Sequence, residues 1–169
     1  MDDSQTVPEL VATARTNAKV SIDRISEILK LMNGQNETST DVEDLHAATV
    51  ALELASVDIF SLFEARMQHH FRRGPFSRKL KSLLLEAKQS DLADKFHQYY
   101  LATNVLKHGK GASYRELLNT PNSFVVVKSN EDIADEANAS AGLVDVSVAG
   151  FFDGLTATIF EAYQFLENK

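Results

Sequence analysis

The chain holds 169 residues, 44% of them hydrophobic and 24% charged, with a formal net charge of −7. That is ordinary globular composition at the length of one domain, which excludes a wholly disordered chain and leaves no comfortable room for two domains. Cysteine is absent, so disulfide scaffolds, thiol nucleophiles, zinc fingers and iron–sulfur clusters are excluded together.

Residues 1–8 read as a loose N-terminal tail. The opening is acidic at Asp2 and Asp3 and has no basic-then-apolar leader, which makes a cytoplasmic location the default. Pro8 suits the first turn of a helix. From there Leu10, Ala14, Ala18, Ile22, Ile25, Ile28, Leu29 and Met32 recur at steps of three and four, predicting a helix that Gly34 ends. After a polar linker, Thr40 and Glu43 have the spacing of a capping box. The helix they open carries Leu45, Ala48, Leu52, Ala55, Ile59, Leu62, Phe63 and Met67, and reaches to about Phe71 as the central helix of the core.

Gly74-Pro75 breaks the pattern. Ser77 caps a third helix lined by Leu80, Leu83, Leu84 and Ala87, and Ser90-Asp91 opens a fourth that runs to His108 before Gly109. Gly109, Gly111 and Pro121 then interrupt, with a short helical turn at Tyr114–Leu118. Phe124–Lys128 is rich in valine and reads as a strand, pairing with Leu143–Val146 as a small hairpin. Residues 129–142 between them read as a mobile loop. A last helix carries Val148, Phe151, Phe152, Leu155, Ile159, Phe160, Tyr163 and Leu166. The expectation is a single all-α domain over residues 1–169. It would be an up-and-down bundle of four to five helices with a small β-hairpin excursion before the last one. No apolar run approaches the roughly 20 residues of a membrane helix, so no membrane contact is expected.

The chemistry concentrates on the fourth helix. At about 100° per residue, His97, Asn104 and His108 fall within about 40° on one face. Leu92, Phe96, Tyr99 and Leu106 point broadly the other way. An imidazole can move a proton near neutral pH, and an amide beside it can orient the ring or hold a phosphate oxygen. Lys107 and Lys110 flank the helix end. Between Arg66 and Lys81 stand Arg66, Arg72, Arg73, Arg78, Lys79 and Lys81 with no acidic residue, a local patch able to attract a polyanion despite the acidic whole. His69-His70 reads as part of that positive rim, because neighbours on a helix point in two directions. No phosphate-loop spacing or nucleophile elbow is present, and no cofactor is implied.

A helical bundle ending a long helix on Asn104-x-x-x-His108-Gly109 resembles the HEPN domains (higher eukaryotes and prokaryotes nucleotide-binding). Their signature is an Arg, a polar residue such as Asn, and a His at the end of the same helix. The resemblance implies a homodimer whose two copies meet across a cleft. It also implies metal-independent RNA cleavage by the Arg and His together. Asn104 and His108 match two positions, and Thr103 stands at the third, where the family has Arg. The implied catalytic residues are therefore His108, as the base for a 2′-hydroxyl, and Asn104 as an orienting group. Lys107, Lys110, Arg66, Arg72 and Arg73 are the candidates for phosphate. The missing Arg shifts the expectation from cleavage towards RNA or nucleotide binding by a weakened or inactive nuclease.

Two other readings stand beside this one. The first is a non-enzymatic interaction module. The second is a carboxylate–histidine metal bundle using Glu43-x-x-His46 and Asp94-x-x-His97, with Glu27, Glu53, Glu64 or Glu86 as extra ligands.

Overall fold

The computed structural model describes residues 4–34, 38–121, 123–129 and 142–169. Six α-helices make up the described chain. They are α1 (Val7–Met32), α2 (Ser39–Met67), α3 (Phe76–Glu86), α4 (Ser90–His108), α5 (Ala112–Leu118) and α6 (Phe151–Glu167), and a 3-10 turn over Gln68–His70 extends α2. The all-α bundle expected from the sequence is thus present, with six helices among the described residues rather than four to five.

Capping fixes where the first two helices start. Thr6 accepts from the Glu9 backbone N–H while the Glu9 carboxylate takes the Thr6 N–H at 2.7 Å. Helix α1 therefore begins at Val7, inside the stretch read as tail, and Val7 is buried. Helix α2 begins two residues earlier than the Thr40–Glu43 spacing suggests. Thr38 and Asp41 form the reciprocal box instead, and the Thr38 hydroxyl and N–H hold the Asp41 carboxyl below its usual range. Short connections favour antiparallel neighbours, and an Arg24–Asp44 ion pair at 2.5 Å bridges α1 and α2 accordingly.

Helix α4 is the hub, packing on α2, α3, α5 and α6. Its Phe96 is fully buried. Phe60 of α2 stacks on it with ring centroids 5.4 Å apart, and Phe63 and Phe76 approach edge-on at 6.2 and 6.5 Å. Offset and edge-to-face contacts of this kind add to the burial of the rings themselves. On the far side of α4, α6 comes so close that a Cβ at Gly154 would collide with the Tyr99 hydroxyl. Tyr99 is itself buried, and burial pushes its phenol up to about 12.

By length and composition alone the stretch 39–70 is apolar enough to cross a membrane. Here its Leu52, Ile59, Phe60, Phe63 and Met67 side chains are buried within the bundle.

The expected β-hairpin is not present. Among the described residues there is no strand, only an isolated antiparallel bridge between Val127 and Val144. It is made by Lys128 N–H to Leu143 O and Asp145 N–H to Val126 O, both at 2.9 Å. Side chains take several of the backbone groups around it. Gln98 accepts from Phe124 N–H, Ser123 accepts from Val125 N–H, and the Tyr114 hydroxyl donates to Lys128 O. Asp145 then turns the chain by accepting from Ser147 N–H at 3.0 Å. Within the expected mobile loop 129–142, residues 130–141 lie outside the described residues, as do residues 1–3 of the expected tail.

If Phe96 centres the packing, Phe96→Ala should cost about 3–5 kcal/mol, the range for a fully buried aromatic. Urea unfolding measures it, and a loss under about 1 kcal/mol would contradict that role.

Candidate functional site

Helix α4 presents its polar side chains by rotation from Phe96. Thr103 lies two turns on along the same buried face. It is almost fully buried, and its hydroxyl donates to the Tyr100 carbonyl at 3.0 Å. Thr103, where the signature that the sequence resembles has Arg, is therefore a core residue. Asn104, one step round, is half-buried, and its amide donates to the Ser113 hydroxyl at 3.4 Å. His97 does not join Asn104. Its Nε2 lies 2.6 Å from the Glu116 carboxylate on α5 and its ring stacks on Tyr100.

Asn104 opens into a cleft of about 470 Å³ between the end of α2, the start of α3 and α4. Ser61, Glu64, Gln68, Ser77 and Tyr100 share its lining. Ser77 is not the cap of α3, which starts one residue earlier after Pro75; its hydroxyl instead donates to the Glu64 carboxylate across the cleft. Pro75 lines both this cleft and an adjoining open groove formed with Phe71, Arg78, Lys79, Ser82, Leu83 and Glu86. Pro75 is thus a common wall of the polar cleft and of the groove that holds part of the basic stretch. Arg72 and Arg73 are exposed on the turn between the 3-10 turn and α3, whereas Arg66 is half-buried.

His108, Lys107 and Lys110 line neither cavity. Lys107 and His108 are exposed in the last turn of α4, and Gly109 ends the helix at φ +72°. Lys110 is exposed just beyond. The structure therefore puts Asn104 in the cleft and His108 one turn further, at the helix end.

The carboxylate–histidine bundle is not assembled. Among the described residues, one group of His and acidic side chains comes close enough to share an ion. It is His69, His70 and Glu167, and includes none of Glu43, His46, Asp94 or His97. Compared with protein-family models, curated proteins and solved structures, the chain matches none.

Glu53, considered above only as a spare ligand, has another part. It is 8% exposed on α2, and that burial raises its carboxyl pKa above the usual 4.5. A backbone hydrogen bond from Gly142, then the charges of His46 and Lys128, pull it back down. Its only warning in the sequence is a lone acid in the apolar run ALELAS.

Because the folded protein holds this proton more tightly than the unfolded chain, Glu53 favours folding most below its unfolded value. That contribution falls as pH rises through the raised folded value. Glu53→Gln keeps a carbonyl oxygen for Gly142 and removes the titration. Its stability relative to wild type should rise between about pH 4 and about pH 8 in urea unfolding. A difference that stays constant with pH would contradict the burial argument.

Proposed function

We propose that this protein is a HEPN-like bundle that binds RNA or a nucleotide phosphate and does not cleave efficiently. The observation that carries the reading is a groove that sets Phe71 beside Arg78 and Lys79 and shares its Pro75 wall with the Asn104 cleft. Single-stranded nucleic acid is held without strong sequence preference by cations that track its backbone and aromatic faces that stack on its bases. Both residue types meet in this groove. Asn104 supplies an amide for a phosphate or base edge, and the exposed Arg72 and Arg73 add charge at the same turn. Glu86 limits the far end of the groove with the opposite sign.

Cleavage through the family's chemistry needs a guanidinium beside His108 to neutralise the charge building on the scissile phosphate. With buried Thr103 in that position, His108 is left as an exposed imidazole with Lys107 and Lys110 nearby. Lysines are point charges rather than bidentate phosphate ligands, which favours binding over turnover. The functional unit implied by the resemblance is a homodimer.

Fluorescence anisotropy of labelled single-stranded RNA tests the reading. Affinity should fall steeply with salt, with a slope of about −0.7 per phosphate contacted in a log–log plot. Arg78→Ala with Lys79→Ala should flatten that slope, and Asn104→Ala should weaken binding at every salt concentration without changing it. No affinity at low salt, or a slope indifferent to the double variant, would overturn the proposal and favour an interaction module. In EDTA, end-labelled RNA should stay intact. EDTA-resistant cleavage that disappears in His108→Ala would show instead an active nuclease with another group in place of the Arg.

A further inference from the structure

His69 and His70 do not diverge as neighbours on a regular helix would. They sit on the 3-10 turn that ends α2, with ring centroids 4.3 Å apart and planes 36° from parallel. Glu167, in the last turn of α6, reaches the same point, with its Oε1 3.1 Å from His70 Nε2. One ligand atom from each of the three side chains lies within 4.8 Å of the other two.

The tautomer of His69 is fixed by its partner. Its Nδ1 lies 2.8 Å from the Arg66 backbone carbonyl. A carbonyl only accepts, so Nδ1 carries the proton and Nε2 keeps its lone pair. Metal-bound imidazoles are commonly held this way, one ring nitrogen donating to a backbone carbonyl while the other binds the ion.

We propose that His69 Nε2, His70 Nε2 and a Glu167 carboxylate oxygen form a binding site for a divalent transition-metal ion of the zinc class. Zinc bonds to imidazole nitrogen and carboxylate oxygen run about 2.0–2.2 Å, which puts tetrahedral ligand atoms about 3.3–3.5 Å apart. The His70–Glu167 pair is already within a few tenths of an ångström of that. The wider separations close by rotation of the exposed His69 and Glu167 side chains. On binding, the metal replaces the proton shared between His70 and Glu167, and a water completes the fourth position. Two imidazoles and one carboxylate suit zinc, nickel or copper and do not suit magnesium or calcium, which prefer all-oxygen shells. Arg72 and Arg73 follow within three residues and oppose a dication, so binding should be reversible on chelation. The ion would tie the end of α6 to the end of α2, independently of the RNA reading.

The test is calorimetric titration of the tag-free full-length chain, stripped with EDTA, with zinc chloride and separately with magnesium chloride. One zinc per chain is expected, with no magnesium uptake and a higher unfolding temperature in zinc. His70→Ala and Glu167→Gln should each weaken zinc binding by about tenfold or more, the scale on which even supporting partners of metal sites act. His46→Ala, elsewhere on α2, should leave it unchanged. Cobalt should give the visible absorption of a tetrahedral nitrogen–oxygen site in wild type and lose it in Glu167→Gln, a variant that leaves the helix intact. Absence of zinc binding, or zinc binding that both His70→Ala and Glu167→Gln leave unchanged, overturns the proposal.

Discussion

Phe96 is fixed by rings from two other helices, stacked on Phe60 and met edge-on by Phe63 and Phe76. Close-packed rings of this kind leave α4 one azimuth, since rotating the helix would open voids on one side and force overlap on the other. That single angle decides which polar residues of α4 reach solvent. Thr103 shares the face of Phe96 and is buried, while Asn104 is turned into the cleft. An arginine at 103 would start from a position that is almost fully buried, where an unpaired guanidinium is expensive. Threonine fits there because its hydroxyl finds the carbonyl of Tyr100. Threonine in place of the arginine of the signature that the sequence resembles therefore agrees with the packing of the helix that carries it.

The helices were legible because their apolar residues repeat at three and four over long runs, as in α1 and α6. Gly109 was legible because a positive φ after a helix suits glycine. The start of α2 was not. Thr38 and Thr40 each have an acid three residues on, and only the geometry of the chain selects Thr38. The valine run 125–127 has the propensity of a strand, but propensity does not report that Gln98, Ser123 and Tyr114 will take the neighbouring backbone groups. The candidate site divides in the same way. Asn104 and His108 were visible as a face of one helix. The cleft joins residues from three helices, and its polar lock between Ser77 and Glu64 spans 13 positions.

Two points along α2 serve different parts of the molecule. Near its middle the buried carboxyl of Glu53 holds Gly142, which follows the stretch 130–141. At its C-terminal end the helix tightens into a 3-10 turn and turns two imidazoles towards each other beside Glu167. The first is an acid kept partly from water and the second a set of ligand atoms open to it. An apolar helix can carry both because each polar group lies where another element supplies a partner.

The contact between Gly154 and Tyr99 joins two positions far apart in the chain. Helix α6 lies against α4 with the Tyr99 phenol oxygen in the space a methyl group at 154 would need, so a side chain there would force the ring or the helix to shift. With phenylalanine at 99 that oxygen is gone, and the ring carbon beneath it stands 3.4 Å from the methyl position, an ordinary contact. In evolutionary drift the two sites are therefore not independent. A methyl group at 154 is accommodated more easily once the hydroxyl at 99 has been lost, so the order of the two substitutions matters.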